Sequence, residues 1–186
     1  MLNSLQRYDE AIACMDKATQ LKPNYAIAWV SRGYVQRNLK RYQEALASYD
    51  KAAQIEPNIS YKLWYGRGYV MDELKRYEEA IQNYDRALSL KTNASIVWHN
   101  KGITLAKLKR YEQAIDAYDK AIKTNDYDSV SLYLLATADS WYARGISLFD
   151  LKRYQDAINS FDKAIALRSN FADAIKARSI AQKQLQ

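Results

Sequence analysis

The sequence predicts an all-α protein, an α-solenoid of stacked helix–turn–helix units, and three observations predict it. The skeleton Trp29, Gly33, Tyr42, Ala45, Tyr49 and Ala52 returns as Trp64, Gly68, Tyr77, Ala80, Tyr84 and Ala87. It returns again as Trp98, Gly102, Tyr111, Ala114, Tyr118 and Ala121, and as Trp141, Gly145, Tyr154, Ala157, Phe161 and Ala164. A fixed period of this length marks an array of supersecondary units, each burying its apolar face on its neighbours. Within each unit the apolar residues recur at three- and four-residue steps, the spacing of one helix face. Finally, 48% of the chain is hydrophobic while only five glycines and two prolines interrupt 186 residues, a balance that favours order and helix.

Taken in order, residues 1–25 carry only the second half of the unit, with Tyr8, Ala11, Met15, Ala18 and Pro23. Full units follow at 26–59, 61–94, 95–128 and 138–171. In the first, the pattern Ala26, Trp29, Gly33 and Gln36 predicts one helix, with Gln36 standing where Met71, Leu105 and Leu148 are apolar. The turn Leu39-Lys40-Arg41 leads to a second helix through Tyr42, Ala45, Leu46, Tyr49 and Ala52, which Pro57 stops. Glu44, Glu78, Glu79, Glu112 and Asp156 fall in the first turns of the second helices, where acids complement the helix dipole. The glycines fall within first helices, where each costs about 1 kcal/mol relative to alanine. Close helix approach against the small residues Ala45, Ala80, Ala114 and Ala157 is the expected reason. The chain closes with a first-type helix over 172–186, a polar cap.

The period breaks once. The nine residues SVSLYLLAT, 129–137, precede the last unit, and no glycine or proline interrupts Val130 to Phe149. The expectation is a first helix lengthened by about two and a half turns, capped by Asp128 or Ser129, with Leu135, Asp139, Tyr142, Ile146 and Phe149 on one face. A second spacing pairs Asp16, Asp50, Asp85, Asp119 and Asp162 with Arg32, Arg67, Lys101, Arg144 and Arg178. It predicts a ladder of ion pairs from each second helix to the next first helix.

The repeated unit resembles the tetratricopeptide repeat, a helix–turn–helix of 34 residues with W-x2-L-G, A-x3-F and P motifs. It departs in having Arg32, Arg67, Lys101 and Arg144 where the family has leucine before glycine. The resemblance implies a right-handed solenoid whose first helices line a concave groove. Counted from each tryptophan, that groove receives Tyr34, then Tyr65, Tyr69 and Asp72, then His99, Asn100, Ile103 and Ala106, then Tyr142, Ile146 and Phe149. It would be aromatic and apolar with few charges, suited to a peptide or helical segment of a partner protein. Family members that bind acidic chaperone tails use a lysine–asparagine–arginine clamp. Val30, Tyr34, Tyr65 and Tyr69 occupy clamp places here, so that partner class is not expected.

The remaining features exclude more than they assign. A single histidine, His99, and a single cysteine, Cys14, leave no catalytic pair, metal spacing or disulfide framework, so neither an enzyme nor a cofactor is expected. No apolar run reaches membrane-spanning length, and the first residues lack a secretory pattern, from which a cytoplasmic location is expected. The net charge of +7 and the recurring Leu-Lys-Arg-Tyr turns offer a basic edge. Nucleic-acid binding there is the disfavoured alternative, since cations after a helix also suit its dipole. Two more alternatives are a regulatory module of a larger signalling protein and head-to-tail self-association of residues 8–22 with 172–186 of another copy.

Overall fold

The computed structural model describes residues 2–124 and 130–186, with backbone alone in the helical stretches 2–7 and 130–135. The described residues contain ten helices and no strand. They are α1 (Leu2–Leu21), α2 (Ala26–Asn38), α3 (Tyr42–Ile55), α4 (Tyr61–Glu73), α5 (Tyr77–Leu90), α6 (Ser95–Lys107), α7 (Tyr111–Lys123), α8 (Val130–Asp150), α9 (Tyr154–Leu167) and α10 (Ala172–Lys183). The chain divides into two compact units, residues 1–92 and 93–186. In the first, α2 and α4 pack side by side, with α1, α3 and α5 against them; in the second, α8 packs on α6, α7, α9 and α10. The first unit is centred on Ala45, Tyr49, Ala52, Leu63 and Val70. The second is centred on Ile115, Leu148, Ala157, Ile158 and Phe161.

The repeated glycines stand where helices approach closely, with an aromatic ring nearest each one and the Ala80 carbonyl oxygen also 3.2 Å from a Cβ at Gly68. A Cβ on Gly33 would meet the Tyr49 ring at 2.8 Å, one on Gly68 the Tyr84 ring at 2.8 Å, and one on Gly102 the Tyr118 ring at 2.6 Å; Gly145 stands likewise against Phe161. Each ring is almost wholly buried, and the space that a methyl group would take is filled by its edge. Ala45, Ala80, Ala114 and Ala157 are fully buried as well, one turn before those rings on the same helices.

The ladder forms within both units. Arg32 Nε meets Asp16 at 2.6 Å, Arg67 meets Asp50 at 2.7 Å, Arg144 meets Asp119 at 2.7 Å, and Arg178 Nη1 meets Asp162 at 2.9 Å. Of the fifth pair, Asp85 belongs to the first unit and Lys101 to the second. The guanidinium fork explains a further regularity. Its Nη1 donates to Ser48, Asn83 and Ser160 at 3.0, 2.9 and 2.7 Å, each on the second helix of the same repeat. The third repeat has lysine, which lacks the second prong, and there the matching position is the buried Ala117. Ser48 in turn donates to Gln36 Oε1 at 2.6 Å, and Gln36 Nε2 donates to Glu44 at 3.3 Å. Gln36 is therefore fully buried although polar, with both ends of its amide satisfied.

Every tight turn ends its first helix in the same way. Lys40, Lys75, Lys109 and Lys152 have φ of 58, 61, 59 and 60°, a left-handed conformation usually given to glycine. Arg41 N–H donates to the Gln36 carbonyl and Lys40 N–H to that of Arg37, both at 2.9 Å, the paired bonds of a Schellman cap. The tryptophans close the opposite ends. Trp29 Nε1 donates to the Pro23 carbonyl at 2.9 Å and Trp64 Nε1 to that of Pro57 at 2.7 Å. Helix α8 has 21 residues, against 13 in α2, α4 and α6. The caps expected at Asp128 or Ser129 lie outside the described residues, as do the side chains of Leu132, Tyr133, Leu134 and Leu135.

Candidate functional site

In the first unit the repeat spacing brings three of the expected contact residues together. Tyr34 on α2 and Tyr65 and Tyr69 on α4 share the face on which those two helices lie side by side. Between them sits Arg37, one turn after Tyr34. Its guanidinium carbon is 4.9 Å from the ring centroids of both Tyr34 and Tyr69, and 5.8 Å from that of Tyr65. Contacts of this kind hold a cation to a ring face by about 0.5–1 kcal/mol at exposed sites. Tyr34 is 52% exposed, while Tyr65 and Tyr69 are half-buried. Tyr65 also leans on Tyr84, centroids 6.3 Å apart, and burial pushes its hydroxyl up to about 12.

Beside this cluster, where α2 runs into its turn, opens a cleft of about 310 Å³ lined by Tyr8, Arg37, Asn38, Lys40, Tyr42 and Tyr69. The Tyr42 hydroxyl donates to Glu73 Oε2 at 2.7 Å. Burial, then the bond to that carboxylate, raises Tyr42 to about 12. The cluster is aromatic with one cation, Arg37, at its centre. Arg37 was legible: it lies eight residues after Trp29, the spacing that assigned Asp72, Ala106 and Phe149 to the same face.

In the second unit the expected residues are all partly buried. Tyr142 lies 4.9 Å from the Phe171 ring and 5.9 Å from that of Phe161, and Phe149 lies 5.3 Å from that of Tyr154. With Ile146 they pack, partly buried, against the unit's core, so their rings contribute first to stability. On α6, Asn100 Nδ2 donates to the Ile96 carbonyl at 2.8 Å, and Ile103 is half-buried. His99 joins α6 to α8, its Nδ1 2.8 Å from Ser140 Oγ. Burial lowers its pKa, with Asp139 pulling the other way. Asp139 itself pairs with Arg168 at 2.7 Å.

Three of the four turn arginines bond within the helix that follows, while Arg41 pairs with Asp9 at 3.7 Å. Arg76 forks onto Glu79 through two bonds of 2.6 Å. Arg153 donates from Nε and Nη2 to one oxygen of Asp156, at 3.0 and 2.7 Å, and Arg110 Nε donates to Gln113 at 2.7 Å. Each of these three thereby fastens the first turn of the helix it precedes. Among the described residues no three His, Cys, Asp or Glu side chains gather as a metal site, and no helix is long and apolar enough to cross a membrane.

Comparison with solved structures places this fold among similar ones. YrrB, whose structure is described as a tetratricopeptide repeat protein with an unusual peptide-binding site, is 24% identical, with 96% of this chain and 87% of that one covered and a TM-score of 0.76. MamA is 19% identical, with 91% and 94% covered and a TM-score of 0.78. The C-terminal part of a repeat protein from Cytophaga hutchinsonii is 20% identical, with 98% and 68% covered and a TM-score of 0.79. No curated protein sequence matches the chain significantly. Profiles of the tetratricopeptide repeat match residues 4–58, 61–94, 95–128 and 138–171. With the skeleton, the glycine–ring contacts and the helix pairing in place, this chain belongs to the tetratricopeptide repeat family.

Proposed function

We propose that the protein is a non-catalytic interaction scaffold that captures an extended or helical peptide segment of a partner protein. Tyr34, Tyr65 and Tyr69 are its principal contacts in the first unit. The observation that carries this reading is the exposure of Tyr34 beside two half-buried tyrosines held in place by Arg37. A ring fixed before binding offers large contact area at little further entropic cost. The similarity in fold to YrrB, a protein described as having a peptide-binding site, supports the same reading. The second unit by itself offers His99, Asn100 and Ile103 as contacts, while Tyr142, Ile146 and Phe149 chiefly hold α8 in place. The engagement of Arg76, Arg110 and Arg153 with their own helices weighs against the basic turns as a nucleic-acid surface.

The test is affinity capture from cell extract followed by mass spectrometry, comparing the native chain with Tyr34→Ala/Tyr69→Ala. Tyr65 is left intact because it packs on Tyr84. Partners retained by the native chain and lost by the double variant, with helicity unchanged, support the proposal. An unchanged partner set refutes it.

A further inference from the structure

We propose that the cleft where α2 enters its turn is an anchor for an acidic side chain, an Asp or Glu within the bound peptide. Arg37 and Lys40 would hold its carboxylate while Tyr34 and Tyr69 pack on the flanking residues. The inference rests on the peptide-scaffold reading and names the chemistry of the partner.

The argument begins with a mismatch. Arg32, Arg67 and Arg144, on the same class of helix, each end on an aspartate at 2.6–2.7 Å. Arg37 meets no carboxylate among the described residues. Among those residues its one polar partner is Asn38 Oδ1, at 3.3 Å, and the faces of three tyrosines lie against it. A half-buried guanidinium has lost part of its hydration, and rings replace only some of it. Its five donors in a planar fork match a carboxylate better than any other group a peptide carries. The rings also fix the side chain's position, so little rotamer freedom remains to be lost on binding.

The nearby acids are already engaged. Glu73 accepts from Tyr42 and Glu44 accepts from Gln36. The second cation, Lys40, lines the same cleft from a backbone held at φ 58° by the helix cap. A volume of about 310 Å³ suits one or two side chains rather than a folded surface. Glu73, one hydrogen bond away through Tyr42, selects among anions. A doubly charged phosphate together with Glu73 would outweigh the two cations, whereas a single carboxylate together with Glu73 just balances them.

The experiment selects a displayed library of random 12-residue peptides on the full chain and measures a synthetic consensus peptide by titration calorimetry. The expected consensus holds an invariant Asp or Glu beside an apolar or aromatic residue. Replacing that acid by its amide in the peptide, or Arg37→Gln in the protein, weakens binding about 10- to 100-fold. Made together, the two changes cost little more than either alone, and binding weakens as salt rises. Arg37→Lys, which keeps the charge and loses the fork, recovers part of the affinity. The peptide-side substitution leaves the protein unaltered, so the test stands even if Arg37→Gln perturbs folding.

A consensus without an acid, or one bound equally by Arg37→Gln, overturns the anchor while leaving the scaffold reading intact, provided Tyr34→Ala/Tyr69→Ala abolishes binding. Preference for a phosphorylated residue, or for a free terminal carboxylate over its amide, overturns it as well. Failure to enrich any peptide overturns both readings.

Discussion

Replacing Gly102 by alanine sets two effects of known size against each other. Helix propensity alone favours alanine by about 1 kcal/mol. In place, however, the new Cβ would lie 2.6, 2.8 and 2.9 Å from Cε1, Cδ1 and Cζ of Tyr118, well inside the ~3.5–4.0 Å of an ordinary carbon contact. Tyr118 is only 2% exposed and has nowhere to retreat, so α6 must separate from α7 or the ring must leave its rotamer. Overpacking of this kind costs about 1–3 kcal/mol, with larger values where the neighbours are rigid. With a ring this rigid the cost falls in the upper part of that range, so the expected outcome is a net loss of about 1–2 kcal/mol, a fall in Tm of roughly 2–8 °C for a chain of this size.

The assay is urea unfolding followed by circular dichroism, with amide exchange in α6 and α7 to localise the loss, since repeat arrays unfold unit by unit when cooperativity fails. The control is the same substitution in a Tyr118→Leu background. There the clash is relieved, and alanine should be neutral or stabilising by up to about 1 kcal/mol. Unchanged or increased stability of Gly102→Ala in the native background would refute the ring-contact account of the repeated glycines.

Three more predictions concern the frame and its pH response. Lys109→Gly should stabilise the chain by about 0.5–1 kcal/mol, because Lys109 has φ 59° and glycine takes that conformation without a Cβ penalty; a loss in thermal denaturation would contradict the cap assignment. Asp119→Ala should cost about 1–2 kcal/mol by leaving the partly buried Arg144 without its carboxylate, a figure discounted for the solvent that both groups still see. In a double cycle with Arg144→Met, the coupling should fall below that. Burial depresses the His99 pKa below its ordinary 6.5, so the unfolded chain takes up the proton first. His99 therefore contributes fully above pH 6.5 and its contribution is lost as pH falls below it. The native chain should lose stability relative to His99→Asn between pH 7 and 5; parallel curves would show that His99 titrates freely.

The helices were legible because the repeat writes each constraint four times. Trp29, Gly33, Tyr42 and Ala45 recur in phase with Trp64, Gly68, Tyr77 and Ala80, and chance does not keep such residues aligned. The ladder was legible for the same reason, as a series of acids at one spacing and bases at another. What faces what was harder to read. Spacing identifies Gly102, Ala114 and Tyr118 as framework but does not say whether the methyl or the ring fills the gap beside the glycine. The structure gives the nearest contact to the ring one turn further along the facing helix, with the Ala80 backbone beside it at Gly68.

The site was legible in part. Tyr34, Tyr65 and Tyr69 converge where counting from the tryptophans puts them. Arg37 has the same spacing, yet as a charged residue in the last turn of a helix it reads first as a dipole partner; only the three rings around it show another role. Gln36 appears out of place in an apolar series until Ser48 and Glu44 are brought to it by folding. Such partners are distant in sequence, so the pattern gives no warning of them.

Site-directed photocrosslinking tests the central claim most directly. A benzophenone side chain placed at position 34, on the tyrosine face of α2, is compared with one at position 47, on the exposed side of α3. The account predicts partner adducts from position 34, none from position 47, and loss of the former when an excess of the consensus peptide is added. Equal yields from the two positions, or adducts from position 47 alone, would contradict it.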